Sequence, residues 1–530
     1  LSVSEKDKEM KEMKKFYKLI AIILTIVMSF SVMSLAAFAD EPTTEGTATE
    51  VQKDEEMVDI LLRFKELIER FINGVKKVIE EIRNFLGSVK DITKVKVDSI
   101  SFPNEATVLK VGDTERLVPT ILPEKATNKN VTYSSSDESV ATVDENGVVT
   151  AVGTGTATIT ATTEDGGKTA AKHIVVGDIV VKENESIYDA YLDAEEGQVI
   201  AVAPGVYKER LVISKRVSFL GANAGISANT QRGAETVLTF DESHITGSSV
   251  TLVNNSASGV VFDGFYFYDG GYASPSQLVR AMYAHGSDLQ IKNNVFDGFN
   301  YVQLYVSSAV YNYSNGTWDY HSEYVNNLLL ENNLFKDSPS SYYNVQLQGV
   351  SCTIRGNVVD NASGIIIQPY HNAGGGLVEN NIVNTFVLGF WHNTAYLGSG
   401  KWEYKNNVIN AVAVPENMTT PPTTYVRWES FLIQSFGVGG AWNTGAAPEV
   451  VYENNVVDAT NASPELISYG VNFIAPVTND AKAIFTNNTF AGVQIGVDRK
   501  AGALDLNEML ANNAFPEGSA VIGNQIKIAE

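Results

Sequence analysis

The sequence predicts a mainly β protein: a parallel β-helix, preceded by a β-sandwich and a short amphipathic helix. Three observations lead there. Paired asparagines followed by two apolar residues recur from Asn293-Asn294-Val295-Phe296 to Asn512-Asn513-Ala514-Phe515. Short runs over 95–177 alternate in period two between turn residues. Apolar residues step by three and four from Leu61 to Phe85.

The repeat carries most of the fold. Between the first and last pairs lie Asn332-Asn333-Leu334-Phe335, Gly356-Asn357-Val358-Val359, Asn380-Asn381-Ile382-Val383, Asn406-Asn407-Val408-Ile409, Asn454-Asn455-Val456-Val457 and Asn487-Asn488-Thr489-Phe490. The second asparagines are spaced 39, 24, 24, 26, 48, 33 and 25 residues apart. A unit of about 24 residues means a solenoid, and the 48-residue gap is expected to hold two units, with a hidden turn near Phe431-Leu432-Ile433-Gln434. Flanking runs such as Val345-Gln346-Leu347-Gln348 alternate and are too short for helix pairs. Asparagine tolerates the left-handed backbone, so it suits a corner between strands. Stacked corner asparagines can bond along the axis.

The N-terminal third reads in three parts. Lys14-Lys15, an apolar run to about Leu35 and Ala37-Phe38-Ala39 predict a secretory signal over 1–39, with translation beginning at Met13. Residues 40–53 read as a polar linker. Over 54–90, Leu61, Phe64, Ile68, Phe71, Val75, Val78, Ile82 and Phe85 form a heptad stripe, with Gly87 as its stop. That helix is either a coiled-coil stalk or oligomerisation element, through which 54–87 self-associates, or an amphipathic helix that packs on its own protein or lies on a membrane.

From 95 to 177 the pattern is Val131-Thr132-Tyr133-Ser134-Ser135, Ser139-Val140-Ala141-Thr142-Val143, the turn Asp144-Glu145-Asn146-Gly147, then Val148-Val149-Thr150-Ala151 and Gly155–Thr162. Short strands at regular spacing indicate a β-sandwich. Lys129–Ser136 with Asp144–Thr150 resembles the bacterial group 2 immunoglobulin-like domain, with Tyr133 where that family more often has Trp. The resemblance implies an immunoglobulin-like spacer or binding module of surface proteins and secreted carbohydrate-active enzymes.

Residues 178–530 open with Ser186-Ile187-Tyr188-Asp189, read as a capped helix, and Ala203-Pro204-Gly205-Val206-Tyr207. This order resembles the start of pectin-lyase-like right-handed parallel β-helix proteins. The resemblance implies a cap helix over the open end of the bore. It does not select a reaction, since the specific motifs of the methylesterases, polygalacturonases and pectate lyases are missing.

Composition narrows the partners. The net charge is 39 − 62 = −23, which excludes nucleic-acid binding. A single cysteine, Cys352, excludes an internal disulfide and is expected to point inward between Val350 and Ile354. No cofactor is expected beyond calcium bridging to an acidic polymer.

Strict alternation turns Gln303, Tyr305, Gln346, Gln348, Gln368, Trp391 and Gln434 outward; Tyr370 and Trp428 join them. Amides and aromatics along a solenoid fit a linear glycan, so these residues are the substrate-binding candidates. Catalytic candidates are His371 and His392 as proton acceptors, and Glu403 and Glu429 as a hydrolase pair. The expected function is binding, with or without cleavage as a polysaccharide lyase or glycoside hydrolase, of an extracellular polysaccharide. The alternative is a non-catalytic adhesin or structural protein bound to a host or cell-wall surface.

Overall fold

The computed structural model describes residues 50–527 apart from 93, 241–248, 254–256, 271–278, 300–301, 313–316, 321–324, 339–343, 363, 369–373, 386–388, 393–399, 413–433, 436–448, 462–470, 475–481, 493–494, 499–504 and 523–524, together with Lys15, Lys18, Ile22 and Thr25. The expected signal segment thus lies almost wholly outside the described residues. No helix among them is long and apolar enough to cross a membrane. The chain divides into two compact units, Leu1–Lys94 and Val95–Glu530.

The first unit contains one long helix, Glu50–Ile92. It begins inside the expected linker and runs through Gly87, which is not its end. A single glycine costs about 1 kcal/mol in a helix, too little to stop one of this length. Phe71, Val75, Val78, Ile82 and Phe85 are half-buried. Ile72, Ile79 and Leu86, each one position further round, are exposed and widen the apolar stripe.

The second unit opens with the sandwich. One sheet has four strands, Thr107–Lys110, Thr169–Gly177, Gly155–Thr163 and Val131–Ser135; another has three, Thr114–Arg116, Val148–Ala151 and Ala141–Val143. Leu109, Leu117, Val149, Ile159, Ile174 and Val176 fill the space between, and Tyr133 packs against them. The turn before Val148 is built as its residues dictate. The Asp144 carboxylate accepts from the backbone N–H groups of Asn146 (2.9 Å) and Val148 (2.8 Å), and Gly147 takes φ 76°.

The strand Thr169–Gly177 passes through Asp178 alone into Ile179–Val181, the first strand of the coil. Val175 of the sandwich shares a small core with Ala201, Leu220 and Ala224 of the coil.

The coil is a parallel β-helix whose described strands form long parallel sheets of eleven, ten and seven strands. Each turn visits the sheets in that order, so neighbouring turns contribute adjacent rungs. Inward positions stack along the axis. Phe267, Phe296 and Phe335 lie 4.9 and 4.8 Å apart in one row; Tyr404, Tyr452 and Phe485 lie 5.0 and 4.5 Å apart in another. Cys352 is in this core, and burial pushes its thiol up to about 12.

The asparagine pairs split their work. The first residue of each takes left-handed backbone, with φ between 54° and 57° at Asn293, Asn332, Asn380, Asn406, Asn454 and Asn487; Gly356 substitutes at 64°. The second is buried in every pair but the last. Its side-chain carbonyl accepts from the backbone and side-chain amides of the preceding rung, giving one column through Asn294, Asn333, Asn357, Asn381, Asn407, Asn455, Asn488 and Asn513. The last pair departs from the pattern: Asn512 ends a helix, Leu506–Asn512, whose Met509 joins the core.

The column corrects one expectation. Asn407 and Asn455 bond directly, and strand Lys401–Lys405 pairs with Glu449–Glu453. The 48-residue gap is therefore one turn of the coil with a long insertion, not two turns. At the other end, helix Ile187–Asp193 buries Ile187 and Tyr191 against the bore. Ser186 caps it, and the Glu209 carboxylate takes the N–H groups of Ile187 (2.7 Å) and Tyr188 (3.1 Å).

Candidate functional site

The strip expected from alternation lies on the outer face of the seven-stranded sheet. Tyr283, Tyr305, Gln346, Ile366 and Trp391 occupy one register row. The Tyr283 and Tyr305 rings stack at 4.8 Å with 6° between planes. The Arg280 guanidinium lies over both, 5.5 Å and 5.4 Å from their centroids. His285 meets the edge of Tyr283 at 4.2 Å, and its Nδ1 is 2.8 Å from the Ser307 carbonyl. The Tyr305 hydroxyl donates to the side-chain carbonyl of Gln348, which also accepts from Ser307 at 3.2 Å. One cation, two phenols, an imidazole and two amides thus converge. Aromatic faces can stack on sugar rings, amides can bond hydroxyls, and a guanidinium can pair with a carboxylate.

Several expectations are corrected. Gln303 is wholly buried: its amide donates to the Phe296 and Lys336 carbonyls at 3.3 and 3.0 Å and accepts from Asn344 at 2.8 Å. It precedes strand Leu304–Ser307, at the corner where alternation does not yet apply, and it serves backbone carbonyls. Tyr305 and Gln348 point outward as expected, but they are only 4% and 8% exposed, and Ile366 only 1%. These three positions are therefore covered, whereas an open strip was expected. Tyr283, Arg280 and Gln346 keep partial exposure.

Glu403 is on the eleven-stranded sheet, in register with Leu377 and Val451, and not beside the aromatic strip. Lys405 and Lys401 bind it at 2.9 and 3.1 Å, and their hydrogen bonds hold its carboxyl below the usual range. That state is wrong for a general acid. His392 takes the register position of Ile367 and Trp391 that of Ile366. Gln368 and Gln434 lie in strands, Ile365–Gln368 and Gln434–Ser435. Tyr370, His371, Trp428 and Glu429 lie outside the described residues.

Arg280, Tyr283 and His285 escaped the sequence reading. Met282 and Ala284 are inward and buried, so alternation alone would have turned Tyr283 and His285 outward. The turn they belong to lacks an asparagine pair at its start, having Gly264-Phe265 there. Among the described residues no group of three or more His, Cys, Asp or Glu side chains could hold a metal ion.

The eleven-stranded sheet carries a different surface. Asp263, Lys292, Glu331, Arg355, Glu379, Lys405 and Glu453 follow one another on successive rungs, alternating in sign. Ion pairs close at 3.4 Å (Lys292–Asp263), 2.6 Å (Arg355–Glu331) and 3.7 Å (Lys405–Glu453).

Residues 96–174 match the bacterial Ig-like domain (group 2) family, so the sandwich is immunoglobulin-like. Two carbohydrate-active relatives share a stretch of similar size. An α-L-arabinofuranosidase of Bifidobacterium longum subsp. longum is 40% identical over 110 residues, 21% of this chain and 10% of that protein. The kappa-carrageenase of Pseudoalteromonas carrageenovora is 47% identical over 76 residues, 14% of this chain and 19% of that protein. The chain thus spans a tenth to a fifth of these relatives. A solved structure, the alginate lyase from Paenibacillus sp. str. FPU-7, aligns with 54% of this chain and 96% of its own at 13% identity and a TM-score of 0.32. The two shared stretches are similar to parts of carbohydrate-related proteins.

Proposed function

We propose that this chain is an extracellular carbohydrate-directed protein that holds a polysaccharide along the outer face of the seven-stranded sheet. The observation that carries this reading is the stacked Tyr283–Tyr305 pair under Arg280, continued on the next rung by Gln346. Aromatic stacking, one cation and amides in line suit a linear glycan. The named relatives act on glycans, which supports the same class of partner.

The second reading is a non-catalytic adhesin. It is favoured by how far the polar groups of this face bind one another, Tyr305 and Ser307 to Gln348 and His285 to Ser307.

The test incubates the full chain with pectin, alginate, chondroitin and neutral plant glycans, with and without calcium. Polymer retention and product mass are both read. Retention that Tyr283→Ala abolishes supports the proposal. Unsaturated fragments would extend it to a lyase and saturated fragments to a hydrolase; retention without products leaves a binding module. Neither retention nor products would overturn it.

A further inference from the structure

The outer face of the ten-stranded sheet is a separate surface. Its two register rows differ in chemistry. One is apolar and runs from Val206 through Val237, Tyr266, Val295, Leu334, Val358, Ile382 and Val408 to Val456. Val206, Ile382 and Val456 in it are 58%, 42% and 38% exposed. The other is polar. Asp297, Lys336, Asp360, Asn384, Asn410 and Asp458 follow Tyr268. In it Asn384 donates to Asp360 at 3.0 Å and Asn410 to Asn384 at 2.9 Å.

At the N-terminal end of this face is a depression of about 590 Å³, bordered by Val206, Lys208, Thr239, Tyr266, Tyr268 and Asp297. A volume in this range accommodates a small ligand. Tyr268 is 40% exposed. The Tyr266 hydroxyl donates to the Asp297 carboxylate, which Lys336 holds from the other side at 3.0 Å. Burial, and then that carboxylate, push Tyr266 up to about 12, so it stays a donor at any physiological pH. Thr239 is only 4% exposed, and its hydroxyl has no hydrogen-bond partner among the described residues. Buried hydroxyls are normally satisfied, so this one points to a ligand that supplies the missing partner.

We infer that this depression is a glycan subsite for a neutral sugar chain, with rings against Tyr266 and Tyr268 and hydroxyls on Thr239, Asp297 and Lys208. Neutrality follows from the local charge. Lys208 and Lys336 balance Asp297 and Asp337, and Lys336 is shared between the two carboxylates at 3.0 and 3.7 Å. Asp360 and Asp458 continue the polar row, so no excess of positive charge is left to attract an anionic polymer. The polymer continues along the coil axis, over the apolar row and beside the Asp360 carboxylate and the Asn384 and Asn410 amides, whose rungs repeat about every 4.8 Å. The subsite is on a different sheet from Arg280 and Tyr283, so it stands whether or not that face binds polysaccharide.

Affinity electrophoresis of the full chain through gels containing xylan, galactomannan, mixed-linkage β-glucan or hydroxyethylcellulose tests this. The expected result is retardation by at least one polymer. Tyr268→Ala should weaken it by about tenfold or more, roughly 1.4 kcal/mol. Thr239→Val should weaken it severalfold without lowering the melting temperature, which a purely structural hydroxyl would not do. Three results overturn the inference: no retardation with any of the four polymers, retardation that Tyr268→Ala leaves intact, or a dimer in sedimentation that Tyr268→Ala dissociates, since a second copy would then cover this face.

Discussion

Asn407 and Asn455 are 48 residues apart in sequence and adjacent in one hydrogen-bonded column, 2.9 Å from amide nitrogen to carbonyl oxygen. The column fixes which turn stacks on which, whatever length of chain is inserted between them. Asn407→Ala removes the acceptor for both the backbone and side-chain amides of Asn381. Leaving such buried groups unpaired should cost about 2–4 kcal/mol, read by chemical denaturation. Its neighbour obeys another rule. At φ 54°, Asn406→Gly should change stability little, whereas Asn406→Val should cost about 1–2 kcal/mol.

The alternating charges on the eleven-stranded sheet predict a salt-dependent effect. Arg355→Glu would place three carboxylates on consecutive rungs, between Glu331 and Glu379. A loss of about 1 kcal/mol is expected at low ionic strength. It should shrink in high salt, where exposed charges are screened. Thermal melts at two salt concentrations read both.

His173 predicts an acid-sensitive junction. Burial holds its imidazole below the ordinary 6.5, against a hydrogen bond with the Ala224 backbone and the charge of Asp263. The unfolded chain takes up a proton near 6.5, and the folded chain only at lower pH. Stability is therefore greatest above 6.5, falls as the pH drops below it, and levels off beneath the folded pKa. His173→Gln should flatten the melting temperature between about pH 7 and pH 5.

The helix predicts self-association. Ile72, Ile79 and Leu86 are exposed and seven residues apart, the spacing of a coiled-coil seam. Ile79→Lys in the full chain should lower the oligomer mass in sedimentation while leaving the melting of the second unit unchanged. A wild-type chain that sediments as a monomer would refute it.

Much of the fold was legible because two rules are local. Period-two alternation placed Val345, Leu347, Ile365, Ile367 and Cys352 inward, and all are buried. The left-handed preference of asparagine placed the corners, as at Asn293 and Asn380. The site was less legible, for the opposite reason. Alternation says which way Tyr305 points, but not what covers it. It cannot say that Gln303 spends its amide on carbonyls 7 and 33 residues away. Glu403 looked close to the aromatic zone along the chain, and the coil carried it to another sheet. That the buried Thr239 hydroxyl has no partner among the described residues leaves no mark in the sequence, because it depends on how neighbouring turns pack.

One residue, Asp178, separates the last sandwich strand from the first coil strand. It takes the Val199 N–H at 2.8 Å, and its own N–H goes to the Val199 carbonyl at 2.8 Å. A joint of that kind has no slack. Tension applied through the sandwich reaches the coil through strand Thr169–Gly177 and the shared Val175–Ala201–Leu220–Ala224 packing, with no flexible tether to absorb it. The pair is therefore expected to carry load as a strut. A coil cut free at residue 178 would carry raw apolar surface where the sandwich had been.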